Sequence, residues 1–153
     1  MRYLTLFLAF CGLFLFSCKD DSLSPEEQLQ EDIRIIKQYL ADHNLTADST
    51  ASGLRYIITQ EGTGGHPGVQ STVTVKYKGY LTDGSVFDET TGGKSATFAL
   101  TQVIAGWQEG IPLLKKGGKG TFLLPSYLGY GPSGSGPIPP NTVLIFEVDL
   151  INF

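Results

Sequence analysis

The segment VTVKYKG at residues 73–79 decides the fold, and the segment LIFEVDLI at residues 144–151 repeats its pattern. In both segments, apolar side chains occupy every second position, which is typical of a strand with one face buried. Asp83-Gly84 follows the first segment and marks a hairpin turn. Both segments are therefore predicted to be strands of an antiparallel sheet.

The rest of the chain extends this prediction to an α+β fold. Shorter strands fit residues 54–60, 97–100 and 120–124, and only one short helix fits, near residues 107–112. We therefore predict an antiparallel β-sheet of about five strands wrapped over one short helix, preceded by an N-terminal spacer helix.

The spacer helix has a clear start signal at Ser24-Pro25-Glu26-Glu27, which supplies a capping hydroxyl, a proline at the first helical position and two acidic residues. Leu29, Ile33, Ile36 and Leu40 follow at helical spacing and form one apolar stripe, and the helix should end near His43. The stripe either packs on its own domain or mediates self-association or partner docking. Residues 45–52 are predicted to be a polar linker.

The N-terminal residues have the layout of a bacterial lipoprotein signal. A short basic start precedes an apolar run over residues 4–16, and a small residue, Ser17, comes directly before Cys18. We predict a signal peptide at residues 1–17, lipidation of Cys18, a lipidated tether with the amphipathic helix at residues 18–52, and the main domain at residues 53–153. This predicts a cell envelope lipoprotein, attached by the lipid to the outer membrane and either periplasmic or surface-exposed.

Composition excludes several classes of function. The net charge of −4 argues against a nucleic-acid partner, which requires a basic face. His43 and His66 are the only histidines and have no paired cysteines, so we expect no metal site and no cofactor.

Aromatic residues recur in motifs that are far apart in the sequence. They are YKG ending at residue 79, DGSVFD at 83–88, VIAGWQEG at 103–110, YG at 130–131, IPP at 138–140, and Phe146. In this order the motifs resemble the FKBP-type peptidyl-prolyl cis-trans isomerases, over roughly the last two thirds of the chain. The resemblance implies an aromatic pocket that binds the proline ring of a peptide.

The resemblance also assigns individual roles. Four residues are implied as catalytic: Trp107 at the pocket floor, Phe87 in a wall, Asp88 as the one carboxylate facing the pocket, and Tyr130 as a hydroxyl donor. The Tyr77 hydroxyl should hold Asp88, and the Ile104 N–H should donate to a substrate carbonyl. The implied substrate-binding residues are Tyr77, Phe98, Val103, Ile104, Ile138 at the rim, and Phe146.

Single residues have simpler interpretations. Phe98 and Phe146 could be plain core residues of alternating strands, Asp88 could be a turn residue, and Tyr127 competes with Tyr130 for the hydroxyl role. The combined order of the motifs favours a prolyl isomerase that assists the folding of extracytoplasmic proteins. The alternative is a membrane-tethered proline-peptide binding or chaperone module without significant turnover. The expected partners are proline-containing polypeptides and macrolides of the tacrolimus and rapamycin type, and we expect a monomer.

Overall fold

The structure is a computed structural model that describes residues 23–153. The predicted signal peptide and Cys18 lie outside the described residues. The helices are α1 (Pro25–Asp42) and α2 (Ala105–Gly110). The strands are β1 (Asp48–Ser49), β2 (Arg55–Gln60), β3 (Thr72–Tyr80), β4 (Val86–Glu89), β5 (Ala96–Ala99), β6 (Lys119–Leu124) and β7 (Leu144–Asn152). Single 3-10 turns lie at Leu100–Gln102, Ile111–Leu113, Ser126–Leu128 and Gly131–Ser133.

The sheet is antiparallel, with strand order β1-β2-β6-β7-β3-β4, and β5 pairs with β3 beside β4. Gly79 pairs with Phe146 and Tyr80 with Ile145 across the two longest strands. The predicted α+β fold is confirmed, but the sheet has seven strands rather than about five. The unpredicted strands are β1, which has two residues within the predicted linker, and β4, whose sequence VFDE does not alternate between apolar and polar residues.

The inner face of the sheet wraps around α2. Residues at alternating positions of β7, such as Leu144, Phe146 and Val148, point to this face and are nearly fully buried. Gly106 brings α2 close to the sheet, because a Cβ at this position would lie 2.0 Å from Leu124 Cδ2. This close contact places Trp107, the next residue, deep in the core.

Helix α1 covers the part of the outer face formed by Leu123, Ile145 and Tyr80. The helix starts as predicted: the Ser24 side chain caps it, and the Glu27 carboxylate accepts a hydrogen bond from the Ser24 backbone N–H at 2.9 Å. Ile36 packs with Leu123, Val143 and Ile145 in a second apolar cluster. The stripe of α1 therefore packs on its own domain. Within residues 23–153 no helix has the length and apolar character needed to cross a membrane.

Candidate active site

A cavity of about 320 Å³ opens on the inner side of the sheet, beside α2. We call it the aromatic cavity, because six of the ten described side chains that line it are aromatic. Its lining consists of Tyr77, Phe87, Asp88, Phe98, Gln102, Val103, Ile104, Trp107, Tyr130 and Phe146. These residues come from β3, β4, β5, β7, α2 and the loops beside them, so the fold brings together segments that are distant in sequence.

Trp107 forms the floor of the cavity and is 5% exposed. Its ring centroid lies 5.0 Å from Tyr77, 5.6 Å from Phe98 and 5.4 Å from Phe146, and all three rings meet it edge to face. Such T-shaped contacts between aromatic rings are favourable, and together they fix the orientation of the indole. The result is a flat apolar floor of defined position.

Phe87 and Phe146 form one wall, with centroids 5.5 Å apart and planes at 82°. This wall depends on Gly79 of β3. A Cβ at residue 79 would lie 2.6 Å from Phe87 Cε2 and 2.8 Å from Phe146 Cε1, which is too close for either ring to stay in place. The absence of a side chain at Gly79 therefore creates the space that both rings occupy.

Asp88 supplies the carboxylate of the cavity. The Tyr77 hydroxyl donates a hydrogen bond to Asp88 Oδ2 at 2.5 Å, as the resemblance implied. Desolvation of the phenol and its hydrogen bond to Asp88 raise the pKa of Tyr77 well above the ordinary value, so this donor stays protonated at neutral pH. The hydrogen bond fixes the orientation of a carboxylate that is otherwise exposed to solvent.

Among the described residues that line the aromatic cavity, the Ile104 N–H, which precedes the first turn of α2, and the Tyr130 hydroxyl have no hydrogen-bond partner. Tyr130 is 38% exposed. The competing residue, Tyr127, points elsewhere, and its hydroxyl donates to the Ser52 carbonyl at 2.7 Å. The geometry thus favours Tyr130 over Tyr127 for a hydrogen bond to a bound peptide.

Ile138 is the one predicted site residue that the structure does not bring to the aromatic cavity. Its N–H and carbonyl both bond to Ser135, at 2.9 and 3.0 Å, in a tight turn between Gly134 and Pro139. Its side chain packs in the main core and is 5% exposed. The rim role of Ile138 stays a prediction.

Gln102 lines the aromatic cavity but was not predicted to do so. It ends a 3-10 turn, and a lone polar residue in a turn has no periodic pattern that could identify it. Its position directly before Val103 and Ile104 was the only available signal.

No group of three or more His, Cys, Asp or Glu residues with metal-binding geometry occurs within the part of the chain that the structure describes.

Comparison with known proteins defines the class. A family model described as FKBP-type peptidyl-prolyl cis-trans isomerase matches residues 64–151. A probable FKBP-type peptidyl-prolyl cis-trans isomerase FkpA from Neisseria meningitidis is 50% identical over 105 residues, which are 67% of this chain and 39% of that protein. The outer membrane protein MIP of Legionella longbeachae is 50% identical over 103 residues, which are 66% of this chain and 44% of that protein.

Solved structures with a similar fold carry the names of the same class of protein. FkpA from Escherichia coli superposes with a TM-score of 0.72 at 37% identity, over 83% of this chain and 61% of that chain. A peptidyl-prolyl cis-trans isomerase from Pseudomonas syringae gives a TM-score of 0.70 at 30% identity, over 86% of this chain and 96% of that one. The chain belongs to the FKBP-type peptidyl-prolyl cis-trans isomerase family. It spans 39% to 44% of the length of the two sequence relatives described above.

Proposed function

We propose that this protein catalyses cis-trans isomerisation of Xaa-Pro bonds in extracytoplasmic polypeptides. The observation that carries the proposal is the aromatic cavity itself, with the Trp107 floor, the Phe87–Phe146 wall and only a few polar groups at its edge. A cavity of about 320 Å³ accommodates a proline ring and part of its neighbours. Apolar cavities with a few oriented polar groups are the usual form of a small-ligand site.

The reaction requires no acid, base or nucleophile. The barrier to rotation of a peptide bond is about 18–20 kcal/mol and arises from loss of amide resonance in the twisted state. A catalyst must bind the twisted amide better than either planar form. The twisted amide has less charge separation than the planar one, so an apolar cavity that excludes water favours it.

The polar groups at the edge hold the peptide while the bond rotates. In the proposed complex the Ile104 N–H and the Tyr130 hydroxyl donate to backbone carbonyls of the substrate, since both donors lack a partner among residues 23–153. Asp88, held by Tyr77, lies where it can interact with the rotating carbonyl group. Fixing the flanking chain in this way removes the entropy cost of orienting it in the transition state.

The test is an exchange assay on an Xaa-Pro peptide with Asp88→Leu and a neighbouring control. Asp88→Leu should lower kcat/KM at least about tenfold, because Asp88 is the only carboxylate among the described residues that line the aromatic cavity. Glu89→Leu is the matched control, because Glu89 follows on the same strand and lies outside the cavity lining. Tacrolimus should inhibit the wild-type protein and change the fluorescence of Trp107, the only tryptophan.

Each outcome of the assay has a defined meaning. Wild-type protein that binds tacrolimus but does not accelerate exchange would be a binding or chaperone module rather than an enzyme. Wild-type protein that neither binds nor accelerates would refute the proposed function. Equal losses in Asp88→Leu and Glu89→Leu would refute the role of Asp88.

We further propose that residues 1–17 are removed as a signal peptide, that Cys18 is acylated, and that residues 53–153 form the catalytic domain. The sequence LFSC at residues 15–18 supports the acylation. The name of one relative, an outer membrane protein, supports the envelope location. Metabolic labelling with an alkynyl fatty acid should mark the wild type and Cys11→Ser but not Cys18→Ser. Label retained in Cys18→Ser would refute the anchor.

A further inference from the structure

Helix α1 carries a buried carboxylate that the proposed chemistry does not use. Asp32 is 0% exposed, although it lies on a helix that otherwise packs through aliphatic side chains. A buried carboxylate is costly unless hydrogen bonds replace the lost water. Here three donors do so: Gln28 Nε2 at 2.8 Å, the Ser126 N–H at 2.8 Å and the Ser126 hydroxyl at 2.6 Å.

Two of these three donors belong to the loop that presents Tyr130. Ser126 begins the 3-10 turn Ser126–Leu128, and its preceding residue, Pro125, provides no side-chain cap. Asp32 therefore caps this turn from another element of the fold. The turn is short and internally bonded, with the Leu128 N–H on Pro125 at 3.0 Å and the Gly129 N–H on Ser126 at 2.9 Å.

The segment from Ser126 to Tyr130 is constrained along its length. Leu128 is 5% exposed in the main core, and a Cβ at Gly129 would lie 2.6 Å from Leu144 Cδ1. A displacement of Ser126 has few ways to be absorbed before it reaches Tyr130. The position of the Tyr130 hydroxyl is thus linked to that of Ser126.

A second connection holds the same loop from the side of α2. Tyr127 donates to the Ser52 carbonyl, and the Ser52 hydroxyl donates to the Glu109 carboxylate at 2.8 and 2.9 Å. Glu109 lies on α2, two residues after Trp107. The loop is therefore fixed both to α1 and to the helix that carries the cavity floor.

We propose that Asp32 is a positioning residue, which places the Tyr130 hydroxyl at the aromatic cavity by fixing Ser126. This makes α1 part of the machinery of the site, although α1 contributes no side chain to the cavity lining. The inference rests on the proposed function in so far as Tyr130 contacts the substrate.

Asp32→Ala tests the inference, with Asp42→Ala as the matched control. Asp42 is an exposed aspartate on the same helix, so its removal changes the same charge without touching the loop. Well below its melting transition, Asp32→Ala should lower kcat/KM about fivefold, mainly through KM. Asp32→Asn retains a carbonyl oxygen that can accept from Ser126 and should fall between the wild type and Asp32→Ala.

A double-mutant cycle separates positioning from general destabilisation. In a Tyr130→Ala background, Asp32→Ala should change kcat/KM by less than about 1.5-fold, because the group it positions is absent. Equal effects in the two backgrounds, or unchanged kcat/KM in Asp32→Ala, would overturn the inference. If Asp32→Ala does not fold, Ser126→Ala removes only the hydroxyl donor and should show the same dependence on Tyr130.

Amide hydrogen exchange provides a readout that does not depend on activity. In Asp32→Ala, or in Ser126→Ala if the first variant does not fold, protection of the Leu128 and Gly129 amides should fall about tenfold, while that of Phe146 stays unchanged. Unchanged protection at Leu128 and Gly129 would overturn the inference even in an active protein. An inactive wild type with the expected loss of protection would refute the proposed function but retain the link between Asp32 and the loop.

Discussion

The inner face of strands β3 and β7 contains the aromatic cavity, whereas the part of the outer face beneath α1, at Tyr80 and Ile145, is filled by apolar side chains. On the outer face, Ile145 and Ile36 are fully buried beneath α1. On the inner face, the next residue of β7 is Phe146, which stands edge to face against Trp107 and Phe87. Aliphatic side chains on the outer face fill the space between α1 and the sheet. On the inner face, rigid rings that meet edge to face cannot fill the space between them, and an open cavity with flat walls remains.

The comparison also holds for β3. Its inner residue Gly79 has no side chain, and the rings of Phe87 and Phe146 occupy the space where a Cβ would lie. Its outer neighbour Tyr80 donates a hydrogen bond to Glu147 at 3.0 Å and packs against the cluster beneath α1. A site therefore requires the removal of side-chain volume at one position as much as the placement of aromatic rings at others.

Filling the position at Gly79 should have the largest effect. Gly79→Ala forces the rings of Phe87 and Phe146 to move by about 1 Å, and a displacement of that size can lower activity about a hundredfold. The free energy of unfolding should fall by about 1–3 kcal/mol because of the added methyl group. Exchange assays and denaturant unfolding measure the two effects.

Gly65→Ala is the control for this substitution, because a Cβ at Gly65 would meet no atom within 4 Å. It should leave both the exchange rate and the unfolding midpoint unchanged. A fully active Gly79→Ala would show that the aromatic wall does not set the rate.

Substitutions at two neighbouring residues of β7, one on each face, should have smaller effects than Gly79→Ala. They should distinguish a loss of activity on the inner face from a loss of stability on the outer face. Phe146→Leu should lower kcat/KM about tenfold, or about 1.4 kcal/mol of transition-state stabilisation, because it shortens a wall of the cavity. Ile145→Val should lower the free energy of unfolding by about 1 kcal/mol and leave kcat/KM of the folded protein unchanged. Equal losses of activity in the two variants would contradict the division between the faces.

The smallest effect should appear only in alkaline solution. Desolvation is the main cause that raises the pKa of both Tyr77 on the inner face and Tyr80 on the outer face. A hydrogen bond to Asp88 adds to it at Tyr77, and hydrogen bonds with Tyr39 and then Glu147 add to it at Tyr80. The folded state therefore keeps phenolic protons that the unfolded state loses above about pH 10. Their stabilisation is fully present below that pH and is lost as the pH rises through the folded pKa values.

Tyr77→Phe and Tyr80→Phe should each reduce the loss of stability between neutral and strongly alkaline pH, as measured by denaturant unfolding. Only Tyr77→Phe should also change the exchange rate at neutral pH, because only Tyr77 orients Asp88. A wild-type free energy of unfolding that is constant across this range would disprove the linkage.

The sequence predicted those parts of the molecule in which periodicity and burial coincide. The long strands β3 and β7 belong to this group, whereas the capping residues predicted the start of α1 and the family resemblance implied the aromatic lining of the cavity. Strands β1 and β4 were missed because pairing with a neighbour, rather than their own pattern, defines them. Ile138 packs in the main core and is not among the residues that line the aromatic cavity, so its role at the rim stays a prediction.

Asp32 shows a different limit. It lies three residues after Leu29 and four before Ile36, so helical spacing already placed it on the buried stripe. A charged residue at such a position predicts a polar partner in the core, and this was the available signal. The partner itself, Ser126, lies 94 residues further along the chain and can be identified only from the folded structure.

Strand β7, the last element along the chain, lies near the middle of the sheet, between β6 and β3. Without it, the strands would separate into one group of β1, β2 and β6 and another of β3, β4 and β5. During synthesis, the polypeptide therefore has no route to a finished hydrophobic interior until residues 144–152 have emerged. Assembly is then expected to be slow and all-or-none, as for other chains whose contacts join distant segments, and the earlier strands must be kept from aggregating until β7 is available.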